Sequence, residues 1–568
     1  PANAITSGRG VGSITLATNE RKREYDANLR VDLSSLSVGS QVRNESITTN
    51  IRLFFPHTLE RIAARAEITA GFGRVNLRDA QVRLESRRGR PATPMRRIES
   101  IDLQLASTNL PAVQSLLNGL GLLDGSMPTI EAGAINLNAV LKQADDGSSL
   151  TFALSSPPNE TRLALRRGDR VVGLAKPVEI DVAGTVGLGR ESADPLTEIA
   201  QISVERLKLD LWRELSAELI SPLVVSELAG TPKADARLRV TGVLATLSDL
   251  LVIAAEGEPL PVGGSLLADL ELASTGGGVG LKGLTQLNRL RPADANLPPW
   301  PVRTLHLNKD LSLDADGSRV SIRTLHLMSP ETNAISVALS GAVNDLAGRR
   351  ELQSVLLKLQ YDLAALQPMV LALLDPETRA SVGDLKMSGQ HEASFEASGS
   401  YPASANGRDL ESWESIRSLS ITGQLPAESI SAGGVDVRQL FLPISLKRGV
   451  LSITTHPDGS SRTAGVNGGD LNLGGIAIDL SQGPEPILFR LDRHALVRSA
   501  SLNPVLANSL GKYFNPIFPN ATKARGLLDV TVSANNLRLG ESITTTNSGD
   551  ATVLLSLREM EISNPLGE

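Results

Sequence analysis

The chain has 568 residues, too many for one hydrophobic core, so several domains or a repeat array are expected. Apolar residues at 41% and charged residues at 21% exclude wholesale disorder, and aromatics at 3% leave Leu, Ile, Val and Ala to fill the interior. A formal net charge of -6, with Arg87, Arg88 and Arg90 in a loop-like cluster rather than a stripe, argues against nucleic acid as a partner; the absence of cysteine excludes disulfides, thiolate metal sites and a Cys nucleophile.

The first twenty residues lack the apolar core of a signal peptide. From Ser13 onward, short runs alternate apolar and polar residues, which places one row of side chains on each face of a strand. Such runs are Ser13–Ala17, Ile101–Leu105, Val204–Leu211, Ala236–Val240, Val302–Leu307, Val320–Leu327, Ile335–Leu339, Leu419–Thr422 and Leu471–Leu480. Gly, Asn, Asp, Ser and Pro separate them, as turns require. Pro157-Pro158, Gly276–Gly280, Leu297–Pro301, Tyr401–Asp409 and Gly459–Gly469 read as projecting loops.

Four segments switch to helical spacing, each between two strands. Asn109 caps a stripe of Leu110, Val113, Leu116, Leu117 and Leu120; Leu215, Leu219 and Ile220 start a second helix that Pro222 interrupts. Asp362 caps Leu363, Leu366, Val370, Leu373 and Leu374, and Asn503-Pro504 opens Val505, Leu506, Leu510 and Phe514. The expected division is into β-rich repeat regions 1–200, 201–345, 346–490 and 491–568, with short helices near 109–123, 211–228, 362–375 and 503–515. The pentapeptide Arg-Thr-Leu-His-Leu occurs at 303–307 and 323–327 around the turn-like Asp314–Gly317, predicting two neighbouring strands.

Catalytic constellations are missing. The six histidines, His57, His306, His326, His391, His456 and His494, form no helical i, i+4 pair and no HExxH, so no zinc site is expected. No G-x-S-x-G elbow is present, and Asp145-Asp146 and Asp314/Asp316 lack the ligand ladder of a calcium loop. Gly276–Gly283 fails the GxxxxGK[ST] spacing, so no nucleotide or other cofactor is inferred. No run reaches the ~18 apolar residues that cross a bilayer. The most apolar, Leu247–Ala255, is short and broken by Ser248 and Asp249, so any membrane anchor is expected outside this chain.

What remains is a mainly β chain: a long, curved, twisted antiparallel sheet forming an elongated apolar groove, with a few short amphipathic helices inserted as repeats. Such a face can hold acyl chains without directional contacts. Leu305, Leu307, Leu325, Leu327, Leu528, Val530 and Val532 are the apolar-row residues expected to contact them.

Two segments resemble the AsmA-like family of envelope proteins, which includes TamB and related bridge-like lipid transporters. Asp362–Leu374 followed by Leu385-Lys386-Met387-Ser388-Gly389 is similar to the family's "DL..L.P" helix leading into a "G.L....G" strand; Leu502–Leu506 with Gly526–Val532 is similar again. The resemblance implies a β groove, fixed by a membrane helix, that crosses the periplasm and carries phospholipid between membranes, with envelope proteins as partners at its ends. The expected function is accordingly non-enzymatic, binding or conducting phospholipid acyl chains in the cell envelope. One rival reading is a structural or adhesive surface protein with a closed core. Another is a carbohydrate- or peptide-directed enzyme using Asp409, Glu411 and Glu414 around Trp413.

Overall fold

Extended backbone sends successive side chains to opposite faces, so a chain written in period two builds strands. The computed structural model describes residues 5–21, 23–38, 42–58, 60–85, 95–119, 129–145, 148–167, 170–173, 176–188, 199–226, 233–255, 261–275, 278–294, 296–374, 379, 384–401, 416–455, 462–481, 486–506, 523–538 and 550–563. The protein is mainly β: an open, antiparallel, many-stranded sheet with few short helices. It divides into two units, residues 1–285 and 286–568, and the division falls within the strand Gly278–Pro292.

In the first unit, Ile5–Asn19 pairs with Glu24–Val38, which pairs with Val42–Pro56, and so on through Arg61–Ala70, Gly73–Glu85, Met95–Ser107 and Thr129–Gln143. Ser149–Ser155 follows, then Val178–Leu188, Ile199–Leu211, Leu215–Ser226, Lys233–Val243 and Val262–Thr275, every pair antiparallel. In the second unit, Leu305–Leu313 pairs with Arg319–Met328, then with Ile335–Asn344, Glu351–Asp362, Gln390–Ser400, Leu419–Ala432 and Val435–Lys447 in succession. The duplicated pentapeptides thus lie on adjacent strands. Their turn closes with Gly317 N donating to Asp314 O at 2.9 Å, and Gly317 takes the left-handed φ of +69 that glycine tolerates.

The helices described in full are α1 (Leu110–Gly119), α2 (Leu244–Ala255) and α3 (Leu363–Leu373). α1 and α3 share one design. Asn109 Oδ1 accepts from Ala112 N at 3.2 Å and Asp362 Oδ1 from Ala365 N at 3.1 Å, each carboxamide or carboxylate satisfying an orphan amide of the first turn. Five residues past each cap a glutamine reaches the following strand. Gln114 Oε1 accepts from Ile130 N at 2.6 Å; Gln367 accepts from Met387 N at 3.1 Å and donates to Leu385 O at 2.7 Å. Asn503 Oδ1 repeats the cap toward Leu506 N at 2.9 Å, and the rest of the expected 503–515 helix lies outside the described residues.

The helix expected near 211–228 is not formed: Leu215–Ser226 is a strand, and α2 begins some thirty residues later than the expected start. Leu215, Ala217 and Leu219 satisfy period two as well as they satisfy a helical stripe. Pro222, which has no amide to give the ladder, sits where the pairing with Lys233–Val243 shifts register between Ser221 and Val224. The hairpin into this strand turns on Trp212 and Arg213, at φ 61 and 58, residues with none of the usual turn chemistry. Burial of Trp212 at 3% exposure and its Nε1 bond to Leu163 O at 2.8 Å hold that turn. α2 has no side-chain cap of its own. Instead the Glu214 carboxylate accepts from Thr246 Oγ1 in its first turn at 2.6 Å and pairs with Lys176; Lys176, then Thr246, holds the Glu214 carboxyl below its usual range.

Two strand expectations are also corrected. Leu471–Leu480 is two short strands, Gly469–Asn472 and Ala477–Asp479, separated by a turn at Gly475 whose φ is +89. The run 302–307 becomes strand only from Leu305, since Val302 is wholly buried in the connection before it.

Asp362 carries a measurable consequence. Its carboxyl is held below the ordinary value of 3.8, by Gln390 first and by the Ala365 amide second. A lowered folded-state value means that this stabilisation is complete above pH 3.8 and is lost as pH falls through the lowered value. Asp362→Ala is expected to cost about 1 kcal/mol. The cost should show as faster amide exchange across Leu363–Leu373, constant above about pH 5 and shrinking in stronger acid.

Candidate functional site

The register of the strands decides which side chains share a face. In the first unit, Ile14, Leu29, Ile51, Ala66, Leu77, Leu103, Ala139, Leu154, Val182 and Leu207 stand opposite one another in turn, an apolar row across ten strands. The residue before or after each gives the other face: Ser13, Arg30, Asn50, Glu67, Asn76, Gln104, Asn138, Ser155, Asp181 and Lys208. That polar face carries ion pairs such as Arg206–Asp181 at 2.8 Å and Arg239–Asp269 at 2.7 Å, with both partners largely solvated.

The second unit repeats the arrangement. One row runs Leu307, Leu327, Val337, Leu359, Ala393; beside it runs Lys309, Leu325, Leu339, Leu357, Phe395, Gly423, Ile444, Ile453. The reverse face reads Asn308, His326, Ala338, Lys358, Ser394.

Bulges keep these rows aligned where the sequence changes phase. Val75 and Leu77 are followed by Ala80 and Val82, one residue out of step, and the pairing of this strand shifts between Leu77 and Asp79. Ile202 and Val204 are followed by Leu207 and Leu209, and the shift falls between Val204 and Lys208. Leu352 gives way to Val355 and Leu357 at a shift that contains Ser354, whose φ is 49. An extra residue at each place returns the next apolar side chain to the same face.

The apolar rows are not covered as a core would be. Leu307, Leu327, Val337 and Leu359 are half-buried, as are Leu29, Ile51, Leu77 and Leu103, whereas side chains packed between two layers fall below a tenth exposed. At the first strand Ile14 is 77% and Leu16 63% exposed. Where a row narrows to glycine, a ring fills the space: Phe395 lies over Gly423, and a Cβ there would meet Phe395 Cδ1 at 2.2 Å and Ser394 O at 2.6 Å.

Of the residues expected to contact acyl chains, the structure brings Leu307 and Leu327 directly opposite each other, with Leu305 and Leu325 on the same face of their strands. Leu528, Val530 and Val532 line one face of Lys523–Asn535; Val530 continues a row through Val497 and Leu471 on one side and Leu555 on the other, while Leu528 is buried at 6% exposure. His306 and His326 are on the polar face, His326 Nε2 lying 2.8 Å from Ser336 Oγ. Asp409, Glu411, Trp413 and Glu414 lie outside the described residues. Among the described residues no group of three or more His, Cys, Asp or Glu side chains is placed to hold a metal, and no helix is long and apolar enough to cross a membrane.

Lys309, Tyr361 and His391 are ionisable side chains on the second unit's apolar face that sequence alone did not single out. Lys309 stands between Leu307 and Leu311 and opposite Leu325. Tyr361 and His391 stand opposite each other, ring centroids 6.2 Å apart, and Tyr361 donates to Pro426 O. Burial alone pushes the Lys309 ammonium down and the Tyr361 phenol up from their usual ranges. The signal for Lys309 was its place in the alternation Leu305-His306-Leu307-Asn308-Lys309-Asp310-Leu311, where a lysine occupies an apolar position.

No protein-family model matches this chain, and none of the curated proteins matches it. The geometry of the face therefore carries the functional argument.

Gly423→Ala should destabilise the second unit by about 1–3 kcal/mol, because the added methyl meets backbone as well as the Phe395 ring. Denaturant unfolding followed by far-UV circular dichroism measures it, and the double variant Gly423→Ala/Phe395→Leu should recover only the part due to the ring.

Proposed function

We propose that the chain is a non-enzymatic protein of the cell envelope that binds phospholipid acyl chains along its apolar sheet face and conducts them between membranes, in the manner of the AsmA-like family. The observation that carries this reading is the pair of adjacent apolar rows through Leu327 and Leu325, kept in line strand after strand and left half-buried. A closed structural core would bury such residues. An apolar face left open across so many strands supports an apolar occupant.

The energetics suit transfer rather than storage. Each fully buried methylene contributes ~0.8 kcal/mol, and a face that covers about half of a sixteen-carbon chain contributes about 6 kcal/mol. That corresponds to a dissociation constant of tens of micromolar, and it is spread over contacts with no preferred position, so an alkyl chain can slide along the rows. The Leu and Val side chains make no demand on headgroup or direction.

Native mass spectrometry of the purified protein, with lipid analysis of whatever it releases, tests the proposal. Several phospholipids per chain are expected. Leu307→Asp/Leu327→Asp places two like charges opposite each other on the face; it should abolish most of the loading while the far-UV spectrum stays that of a β protein. A monodisperse wild-type chain that carries no lipid, and takes up none from vesicles, would give the lead to the structural reading.

A further inference from the structure

Among the described residues, Lys309 is a cation on the second unit's apolar face with no charged or hydrogen-bonding partner. Lys309 follows Leu307 and precedes Leu311 on the same face of its strand, and Leu325 stands opposite. The next positions along its row are Leu339, Leu357 and Phe395, none of which can hydrogen-bond an ammonium. No described carboxylate or carbonyl pairs with the Lys309 ammonium, and burial is the sole influence on its protonation. Other lysines in strands, such as Lys358 and Lys208, fall on the polar faces. Partly desolvating an ammonium beside leucines costs free energy unless an anion meets it there.

The rows beside Lys309 are long enough for an anion that carries alkyl chains. From Lys309 to Phe395, whose ring fills the space over Gly423, the row crosses five strands, about 19 Å at ~4.8 Å per step, before it runs on through Gly423, Ile444 and Ile453. That is on the order of fifteen methylenes at ~1.25 Å each, the projection of a ~1.5 Å carbon–carbon bond. The parallel row through Leu327, Val337 and Leu359 lies two residues away along the strands, about 6.7 Å, close enough for a second chain of the same molecule. A single alkyl chain would leave that second row bare.

We propose that Lys309 is a headgroup anchor: its ammonium holds the phosphate of a two-chain phospholipid whose acyl chains lie along the Leu325–Phe395 and Leu327–Leu359 rows. This rests on the lipid-binding reading above and adds to it a fixed stopping point on an otherwise featureless track. Between such points the chains slide; at Lys309 a charge-assisted hydrogen bond holds the lipid.

Wild type, Lys309→Met and Lys309→Arg are each equilibrated with vesicles containing phosphatidylglycerol, with vesicles containing dioleoylglycerol, and with oleate, then re-isolated and their bound lipid counted by native mass spectrometry. Methionine keeps the length and apolar stem of lysine and removes a partly desolvated charge, so the fold is expected to be retained. Lys309→Met should lower retention of phosphatidylglycerol at subsaturating lipid by about tenfold or more, the worth of one charge-assisted hydrogen bond, and leave dioleoylglycerol uptake at the wild-type level; Lys309→Arg should retain both. Phosphatidylglycerol retention by Lys309→Met equal to wild type would overturn the anchor while leaving the lipid-binding face standing. So would equal loss of dioleoylglycerol, which would trace the effect to the face as a whole. Loss confined to oleate would assign Lys309 to a carboxylate and overturn the phosphate assignment. A wild-type chain that takes up none of the three fails this proposal and the function together.

Discussion

Register is the constraint on which this structure depends. A strand offers alternate side chains to opposite faces, and a slip of one residue between neighbours would exchange the two faces from that strand onward. Here the pairing keeps Leu29 opposite Ile51, Leu77 opposite Leu103, and Leu327 opposite Val337, while Arg30, Gln104 and His326 stay on the reverse. The bulges at Leu77/Asp79, Val204/Lys208 and Leu352/Val355 are corrections to the same constraint, each inserted where the sequence itself falls out of phase. Without them the apolar rows would break at three places and polar side chains would interrupt them.

An uncovered row stabilises the sheet less than a buried core does, because lateral neighbours remove only part of each side chain from water. Other contacts share the work. The backbone ladders run from strand to strand between the bulges, and α1 and α3 are tied to the strands that follow them by Gln114 and Gln367, whose side chains supply hydrogen bonds to backbone groups at Ile130, Leu385 and Met387. Trp212 and Phe395 do the same by packing, one holding a tight turn and the other filling the gap above a glycine. These anchors stand at helix junctions, turns and narrow points, and the leucine and valine rows between them are left free of such duties.

That division of labour suits the proposed lipid conduit. Gln114, Gln367 and Trp212 fix the fold by directional hydrogen bonds, whereas the leucines and valines that would meet an acyl chain have no polar side-chain atoms, so occupancy of the face need not disturb the ladder beneath it. The ionisable side chains Lys309, Tyr361 and His391 are exceptions on the second unit's face, and Tyr361 already has a structural partner in Pro426 O. Among the described residues, Lys309 combines an apolar position with a charge and no protein partner.

Much of this was legible in the sequence, because period-two alternation is a local property that each run displays by itself. Strand content, the absence of known catalytic motifs, the cap-then-stripe starts at Asn109 and Asp362, and the neighbouring Arg-Thr-Leu-His-Leu strands could all be read from the order of residues. The segment 211–228 could not, since Leu215, Ala217, Leu219 and Leu223 fit either period, and a hairpin turning on Trp212-Arg213 gives no local warning; burial of the indole against Leu163, which is distant in sequence, decides it. The common face of Leu307, Leu327, Val337 and Leu359, the exposure left on it, and the isolation of Lys309 depend on pairing between strands far apart in the chain. Alternation fixes which residues share a face within one strand, but only tertiary pairing, bulge by bulge, decides which faces join.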